Sequence, residues 1–525
     1  MTSTIDPAVT GAGEPRAGAD HKGLKDGALG LLSNTVIAIA SVAPAYSLAA
    51  ALGFVIAYDG FQSPVVLLLA FVPMACVAVG YGQLNRVVPD CGTTFTWGTK
   101  AFGPWVGWMG GWGIIAADVI VMANLAQIAG QYMFQLFGAY GLANSKWWTL
   151  GAGVAWIVVM AFICYVGIEI SARVQYGLLA IELTMLAIFS STALGKVYGG
   201  SAGSQSVHPA ASWFNPFHLS FSNLNLGLLL ALFIYWGWDT AVSVNEETKD
   251  RHRTPGRAAL ISTVVLLVTY VLVSTAAQSY AGIGDKGIGL TNPDNSGDVL
   301  SVLGGSVFGT HGFGWFLAKL LVLMVLSSAA ASTLTTILPT ARTSLAMAAY
   351  RSIPQRFARI HRRYLTPTWS TVGMALVSIA FYVVMTIVSQ NILGDTISSL
   401  GLMIAFYYGL TGFACAWYYR RNLSSSPRNF FMQGVIPGLG GLILFFVLGW
   451  ALRDDWLAPS DVSTSYTVWD MPFAPHWHIG GVFLIGVVAF VVGIVLMIAW
   501  WITAPAFFRG EVLHEGTPTL VPDPD

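Results

Sequence analysis

Ile39-Ala40-Ser41-Val42-Ala43-Pro44-Ala45-Tyr46-Ser47 sits in the middle of an apolar run, residues 29–57, that contains no Asp, Glu, Lys or Arg. The run exceeds the roughly 20 helical residues that cross a bilayer core. Pro44 removes a backbone donor and its ring clashes with the preceding turn, so a helix here should break. Backbone groups freed at membrane depth are costly unless a ligand, water or neighbouring side chain satisfies them. Pro is also common in membrane helices that bind nothing, so this break gains weight only from a second one.

Working outward, the sequence holds eleven further apolar runs: 63–87, 104–136, 147–170, 172–195, 225–247, 257–281, 313–345, 367–389, 396–418, 430–452 and 478–504. We number the twelve as spans 1–12. The alternating ten-residue segments of a membrane β-barrel are missing from the pattern. The second break lies in span 6, Phe233-Ile234-Tyr235-Trp236-Gly237-Trp238-Asp239-Thr240, where Gly237 between bulky aromatics permits an interruption. Two interrupted helices at corresponding places in two halves point to a transporter with its site near the midplane.

Composition agrees. The chain is 55% hydrophobic and only 10% charged, against about a quarter charged in a soluble domain. It needs lipid as part of its solvent. Its zero net charge argues against nucleic acid as a partner. Cys76, Cys91, Cys164 and Cys415 form no disulfide framework and no metal-ligand spacing. No cleavable signal peptide is visible; residues 1–28 read as a disordered cytoplasmic tail and 505–525 as a cytoplasmic tail. With both termini cytoplasmic, only Lys146, Lys196, Lys286 and Arg453 fall outside, with Lys319 near the outer end of span 8. The positive-inside rule therefore favours that orientation, in a plasma (inner) membrane. Trp105, Trp108, Trp147, Trp148, Trp315, Trp369, Trp500 and Trp501 sit at span ends and read as interfacial anchors.

Three acids lie at membrane depth: Asp118 in span 3, Glu182 in span 5 and Asp239 in span 6. No Lys, Arg or His shares their depth. Ionisable groups there default to functional roles. They hold a cationic part of a substrate, or carry a coupling proton, or sit protonated and bonded to a neighbouring helix. Glu246 and Glu247, near Arg253, Arg257 and Arg342 in the sequence pattern, read either as interfacial charges or as an inner gate. Enzyme chemistry is disfavoured, because no nucleophile–base pair or metal-spaced histidines occur. No phosphate-binding Gly-x-x-x-x-Gly-Lys loop suggests ATP-driven pumping. No cofactor is implied. A channel would repeat a pore segment or carry charged rings, whereas here the anomalies gather at one depth in two helices.

Three stretches resemble the amino acid–polyamine–organocation superfamily of permeases. The first is Val88-Pro89-Asp90-Cys91-Gly92-Thr93-Thr94-Phe95-Thr96-Trp97, with Ala101-Phe102-Gly103-Pro104 and Gly110-Gly111-Trp112. The second is Asn245-Glu246-Glu247-Thr248-Lys249 with Arg253-Thr254-Pro255. The third is Arg342-Thr343-Ser344-Leu345-Ala346-Met347-Ala348, then Ile353-Pro354-Gln355-Arg356-Phe357-Ala358, His361 and Thr366-Pro367. The resemblance implies an all-α polytopic membrane protein of twelve transmembrane helices. Spans 1–5 (residues 29–195) and 6–10 (225–418) would be inverted repeats with spans 1 and 6 broken, and spans 11 and 12 (430–504) additional.

It also implies alternating access for a small amino acid or amine, coupled to protons or to exchange. The substrate would lie between spans 1, 3, 6, 8 and 10. Phe233 would close over it. Tyr235, Trp236 and Gly237 would offer carbonyls to an ammonium. Free amides around Ala43, Ala45 and Tyr46, next to Ser41 and Val42, would receive a carboxylate. Ser41-Val42-Ala43-Pro44-Ala45 departs from the family's Gly-Ser-Gly, and Pro44 offers no N–H. Aligning Gly167-Ile168-Glu169 and Arg173-Val174-Gln175 puts Glu182 where many members carry Lys. Asp118 would favour a second amine on the substrate. Glu182 and Asp239 are the candidate proton carriers. Sodium is the lesser alternative, with Ser327 and Ser328, and further along Ser332, as hydroxyl ligands. The oligomeric state is not read from the sequence.

Overall fold

The computed structural model describes residues 22, 24, 26–166, 168–361, 363–364, 366–456, 463–470, 477–518 and 520, without the side chains of 168–174. The aligning segment from residue 167 to 174 in span 5 therefore lies outside the described side chains. Among the described residues each of the twelve apolar runs is mainly helical. Among the described residues, ten helical segments are long and apolar enough to cross a membrane. One of them, Leu31–Val87, contains spans 1 and 2, and span 6 is too short to count because it is interrupted.

Span 1 is two helices, Leu31–Val42 and Pro44–Asp59. Span 6 is Phe221–Tyr235 followed by the single turn Thr240–Ser243. The remaining spans run Ser63–Val87, Pro104–Leu136, Lys146–Val166, Ile168–Tyr198, Thr254–Ala281, Gly312–Ala349, Thr368–Val388, Ile392–Tyr418, Ile436–Asp454 and Gly481–Thr503. The apolar window of span 3 (Pro104–Leu136) is 89% buried and that of span 12 (Gly481–Thr503) only 28%. Span 3 is thus a central helix, and span 12 presents its apolar surface outward as a lipid-facing helix should.

Several expectations change. Residues 478–480 do not begin span 12. They pair antiparallel with Val468–Asp470, in the register Val468 with Gly480. This hairpin belongs to a cap over one end of the bundle: Asp395 accepts bonds from the Tyr466 and Thr467 amides (2.9 and 3.2 Å). Lys22, in the described part of the N-terminal tail, is buried. Leu29 forms a parallel backbone bridge to Thr248, donating to the Glu247 carbonyl at 3.0 Å and accepting from the Lys249 amide at 2.9 Å. Phe507, Phe508 and Leu513 are buried beside Phe95 and Tyr350. Residues 1–21 lie outside the described part.

Among the tryptophans, Trp147, Trp148, Trp315 and Trp369 are exposed. Trp108 is not an interfacial anchor: it is buried and donates through Nε1 to the Ser352 carbonyl at 2.9 Å.

Candidate functional site: two abutting helix breaks

The break in span 1 falls one residue before the proline. Ala43 adopts φ 51°, ψ 71°, a left-handed conformation that costs a residue with a Cβ roughly 1–2 kcal/mol. Its amide still bonds to the Ile39 carbonyl (3.0 Å), which closes the first half-helix. Pro44 then opens the second half, where a missing donor is harmless because the first amides of a helix have no internal partner. In span 6, Trp236 is extended (φ −73°, ψ 145°). Gly237 has φ +117°, and a Cβ there would lie 3.0 Å from the Ser41 carbonyl carbon. Ser41 Oγ is 2.8 Å from Thr240 Oγ1. The two breaks therefore lie against each other, at one level of the bundle.

Glu182 and Ser328 take up the amides expected to await a carboxylate. Ala45 N–H donates to Glu182 Oε1 at 2.7 Å, and Tyr46 N–H donates to Ser328 Oγ at 3.2 Å. Ser328 Oγ itself donates to Glu182 Oε1 at 2.6 Å. Ala43 N–H is consumed within its own helix. The expectation of free amides around Ala43, Ala45 and Tyr46 is therefore corrected. Pro44 reduces the donors to a number that two side chains can satisfy.

The expected hydroxyl pair also separates. Ser327 Oγ donates to the Met324 carbonyl of its own helix (2.9 Å), away from Ser328, while Ser332 Oγ donates to the Ser41 carbonyl (2.8 Å). Val42 lines the same break with its carbonyl, which accepts from Ser47 Oγ at 2.6 Å.

Asp239 is held by two hydroxyls that the sequence pattern did not single out. Tyr408 donates to Oδ1 at 2.8 Å and Tyr407 to Oδ2 at 3.1 Å. Trp236 Nε1 donates to the Tyr407 hydroxyl, and Trp238 and Tyr81 pack on Tyr408 with ring centroids 4.9 and 5.8 Å away. Phe233 meets Tyr46 edge-on at 6.0 Å. The Tyr46 hydroxyl bonds Asn124, which reaches Thr396 at 3.2 Å. The Tyr235 hydroxyl is buried without a hydrogen-bond partner among the described residues. Asp118 receives a bond from Thr340 on Oδ2, while its buried Oδ1 has no hydrogen-bond partner among the described residues.

Ser41, Val42, Ala43, Ala45, Tyr46, Asp118, Glu182, Phe233, Tyr235, Trp236 and Asp239 are all buried. At one end of this buried centre lies an ionic cluster. The Lys22 ammonium lies 2.7 Å from both Asp90 Oδ2 and Glu246 Oε1. Asp90 also accepts from the Tyr350 hydroxyl (2.8 Å), the Gly92 amide (2.8 Å) and the Thr96 hydroxyl (2.8 Å). Arg342 grips Glu247 through Nε at 3.0 Å and through the guanidinium end at 3.1 Å. Arg253 and Arg257 form no ion pair with either glutamate among the described residues.

Asp90, Cys91 and Glu246 bring two carboxylates and a thiol within 4.8 Å of one another. Spacing along the chain did not reveal this, and the Lys22 ammonium bonds both carboxylates there. At the opposite end, Asp298 accepts from Tyr132 and from Gln135 Nε2 (2.8 Å), next to an open polar cleft of about 340 Å³ lined by Gln127, Gln131, Lys146 and Gln390.

A bundle of membrane-length helices whose two broken members face each other over buried acids has the build of a membrane transporter. The profile of the amino acid permease family matches residues 29–475, and the chain belongs to that family. An uncharacterized transporter of Mycobacterium tuberculosis is 26% identical over 65% of this chain and 70% of its own length. The low-affinity putrescine importer PlaP of Escherichia coli is 19% identical over 72% of this chain and 78% of its own. The crystal structure of MhsT in complex with L-phenylalanine shares the fold, with TM-score 0.54 at 14% identity, covering 79% of this chain and 98% of that one. The protein is an integral membrane permease and not an enzyme.

Sequence reasoning missed Lys22, Asn124, Tyr407 and Tyr408. The paired tyrosines in an otherwise apolar span were the one available signal: buried hydroxyls need partners, and two together beside a lone membrane acid form a matching set.

Proposed function

We propose that this permease is a secondary active transporter that moves a small amino acid or amine by alternating access. Transport is coupled to protons or to counter-exchange, with spans 1–5 and 6–10 acting as inverted repeats. The observation that carries the reading is the contact between the two breaks, Gly237 on the Ser41 backbone, beside the buried acids Glu182 and Asp239. Substrate would bind between Ser41–Tyr46 and Phe233–Gly237, with Asp118 facing a cationic group.

Asp239 and Glu182 are the proposed proton carriers. Both are buried and held by hydrogen bonds that a proton would rearrange. Sodium coupling is the lesser reading, because Ser327 and Ser328 point to different partners. In this reading both termini lie in the cytoplasm of a plasma (inner) membrane, and the bias of Lys and Arg supports the orientation. The Lys22 cluster is then the inner closure.

Uptake of radiolabelled amino acids and amines into proteoliposomes tests the reading. Accumulation driven by an inward proton gradient, or by preloaded substrate, is the expected result. No accumulation of any amino acid or amine under proton, sodium or exchange conditions overturns it.

A further inference from the structure

A zwitterionic amino acid presents a carboxylate and an ammonium, and each needs its own partner in a dry site. Carboxylates suit the open amides at the start of a helix, where unpaired N–H groups and the helix dipole converge. The second half of span 1 starts at the break and would be the place for one. Its first turn has nothing to give. Pro44 has no N–H, Ala45 donates to Glu182, Tyr46 donates to Ser328, and Ser47 donates to the Ala43 carbonyl at 2.9 Å. Glu182 and Ser328 are both buried and bonded to each other. A second carboxylate arriving here finds no free donor, and it meets a like charge whenever Glu182 is ionised, in a site that water cannot screen.

The other half of the site is built for the opposite charge. Asp118 Oδ1 is buried and without a hydrogen-bond partner among the described residues. Asp239 lies among Trp236, Tyr407 and Tyr408. A carboxylate flanked by aromatic rings suits an alkylammonium, which gains from both.

We infer that Glu182 is a built-in substitute for the substrate carboxylate, and that the cargo of this permease is an aliphatic amine without a carboxylate. Glu182 is then the residue that sets specificity, by occupying from within the position that an amino acid would need. The inference rests on the transporter reading and narrows its substrate class.

Matched pairs that differ only by the carboxylate test it: cadaverine against lysine, putrescine against ornithine, agmatine against arginine. Binding of each to the purified full chain is measured at pH 7 by competition and by thermal shift. The amine of each pair is expected to bind at least tenfold more tightly than its amino acid. In Glu182→Ala the cradle opens, and the ratio should fall to within about threefold through gained amino acid binding. Glu182→Gln keeps the shape, loses the charge and should fall between. Amino acids binding wild type as tightly as their amines, or neutral amino acids binding best, overturn the inference and leave the transporter reading standing. No binding or uptake of any of these compounds overturns both. If Glu182→Ala does not fold, the wild-type ratios decide alone.

Discussion

Lys22 and Asp90 are 68 residues apart in the chain and 2.7 Å apart in space, with both side chains fully buried. Glu246, just after the broken span 6, joins the same ammonium. One lysine of the N-terminal tail thus ties the loop after span 2 to the loop after span 6.

Removing that lysine leaves two carboxylates buried without their cation. Breaking a buried pair by deleting one partner costs about 3–5 kcal/mol. In Lys22→Ala the closure should loosen and expose Cys91, whose amide bonds Glu246 at 2.9 Å and whose thiol is buried. With Cys76, Cys164 and Cys415 replaced, maleimide labelling of Cys91 is expected to quicken at least fivefold. An unchanged rate would contradict the role given to Lys22.

The same contact should be insensitive to pH over a wide range. Burial alone would push the Asp90 carboxyl up, but the Lys22 ammonium, the Gly92 amide and the Thr96 hydroxyl hold it below its usual range. Burial works against the Lys22 ammonium too, and Asp90, Cys91 and Glu246 together outweigh it and raise its pKa. A lowered carboxylate stabilises above its unfolded value near about 4 and is lost only as pH falls through the lower value. A raised lysine stabilises below about 10.5 and is lost only as pH rises through the higher value. Lys22→Met takes the cation away from Asp90 and from Glu246, whose carboxyl burial already pushes above its usual range, so the variant's buried carboxyls take up protons more readily and the Tm difference from wild type should narrow as pH falls. A difference that widens as pH falls would show that another group controls the closure.

Asp239→Asn keeps the shape of the side chain and removes its proton exchange. The pH dependence of proteoliposome uptake is expected to flatten, while Tyr408→Phe, which deletes the 2.8 Å bond to the same carboxyl, should shift it without abolishing it. Identical pH profiles in wild type and Asp239→Asn would remove Asp239 as a proton carrier.

Gly237→Ala tests the contact between the breaks. The φ of +117° strains any residue with a Cβ, and the 3.0 Å approach to Ser41 would press a methyl group against its backbone. The cost should be roughly 1–3 kcal/mol, seen as a lower Tm, with uptake reduced at least tenfold because the two breaks are pushed apart. Wild-type uptake in this variant would mean that their contact is dispensable.

Asp118→Asn should weaken diamines more than monoamines, since only the former bring a second ammonium to the free Oδ1. Equal losses for both classes, measured by competition, would assign Asp118 to packing.

Local pattern carried the membrane class, the placement of the spans and the breaks at Pro44 and Gly237, because each is a matter of apolar length or of one residue's backbone freedom. It also found Asp118, Glu182 and Asp239, since an acid in an apolar run stands out. It did not find their partners. Whether the Ala45 amide is open depends on Glu182, 137 positions away, and no periodicity encodes such a pair. Lys22 was unreadable for the same reason: in a polar tail rich in Gly and Ala, a lysine looks solvated until Asp90 and Glu246 are seen beside it. Trp108 misled because a tryptophan at a span end has the same sequence signature whether it faces lipid or, as here, the Ser352 carbonyl.

The bridge between Leu29 and Thr248 has a consequence for how such a protein can diverge. It joins the start of span 1 to the chain after span 6 through backbone atoms alone, so it is indifferent to which side chains stand at those positions. Substitutions that exchange, lose or invert the charges around it leave this link between the two broken helices in place.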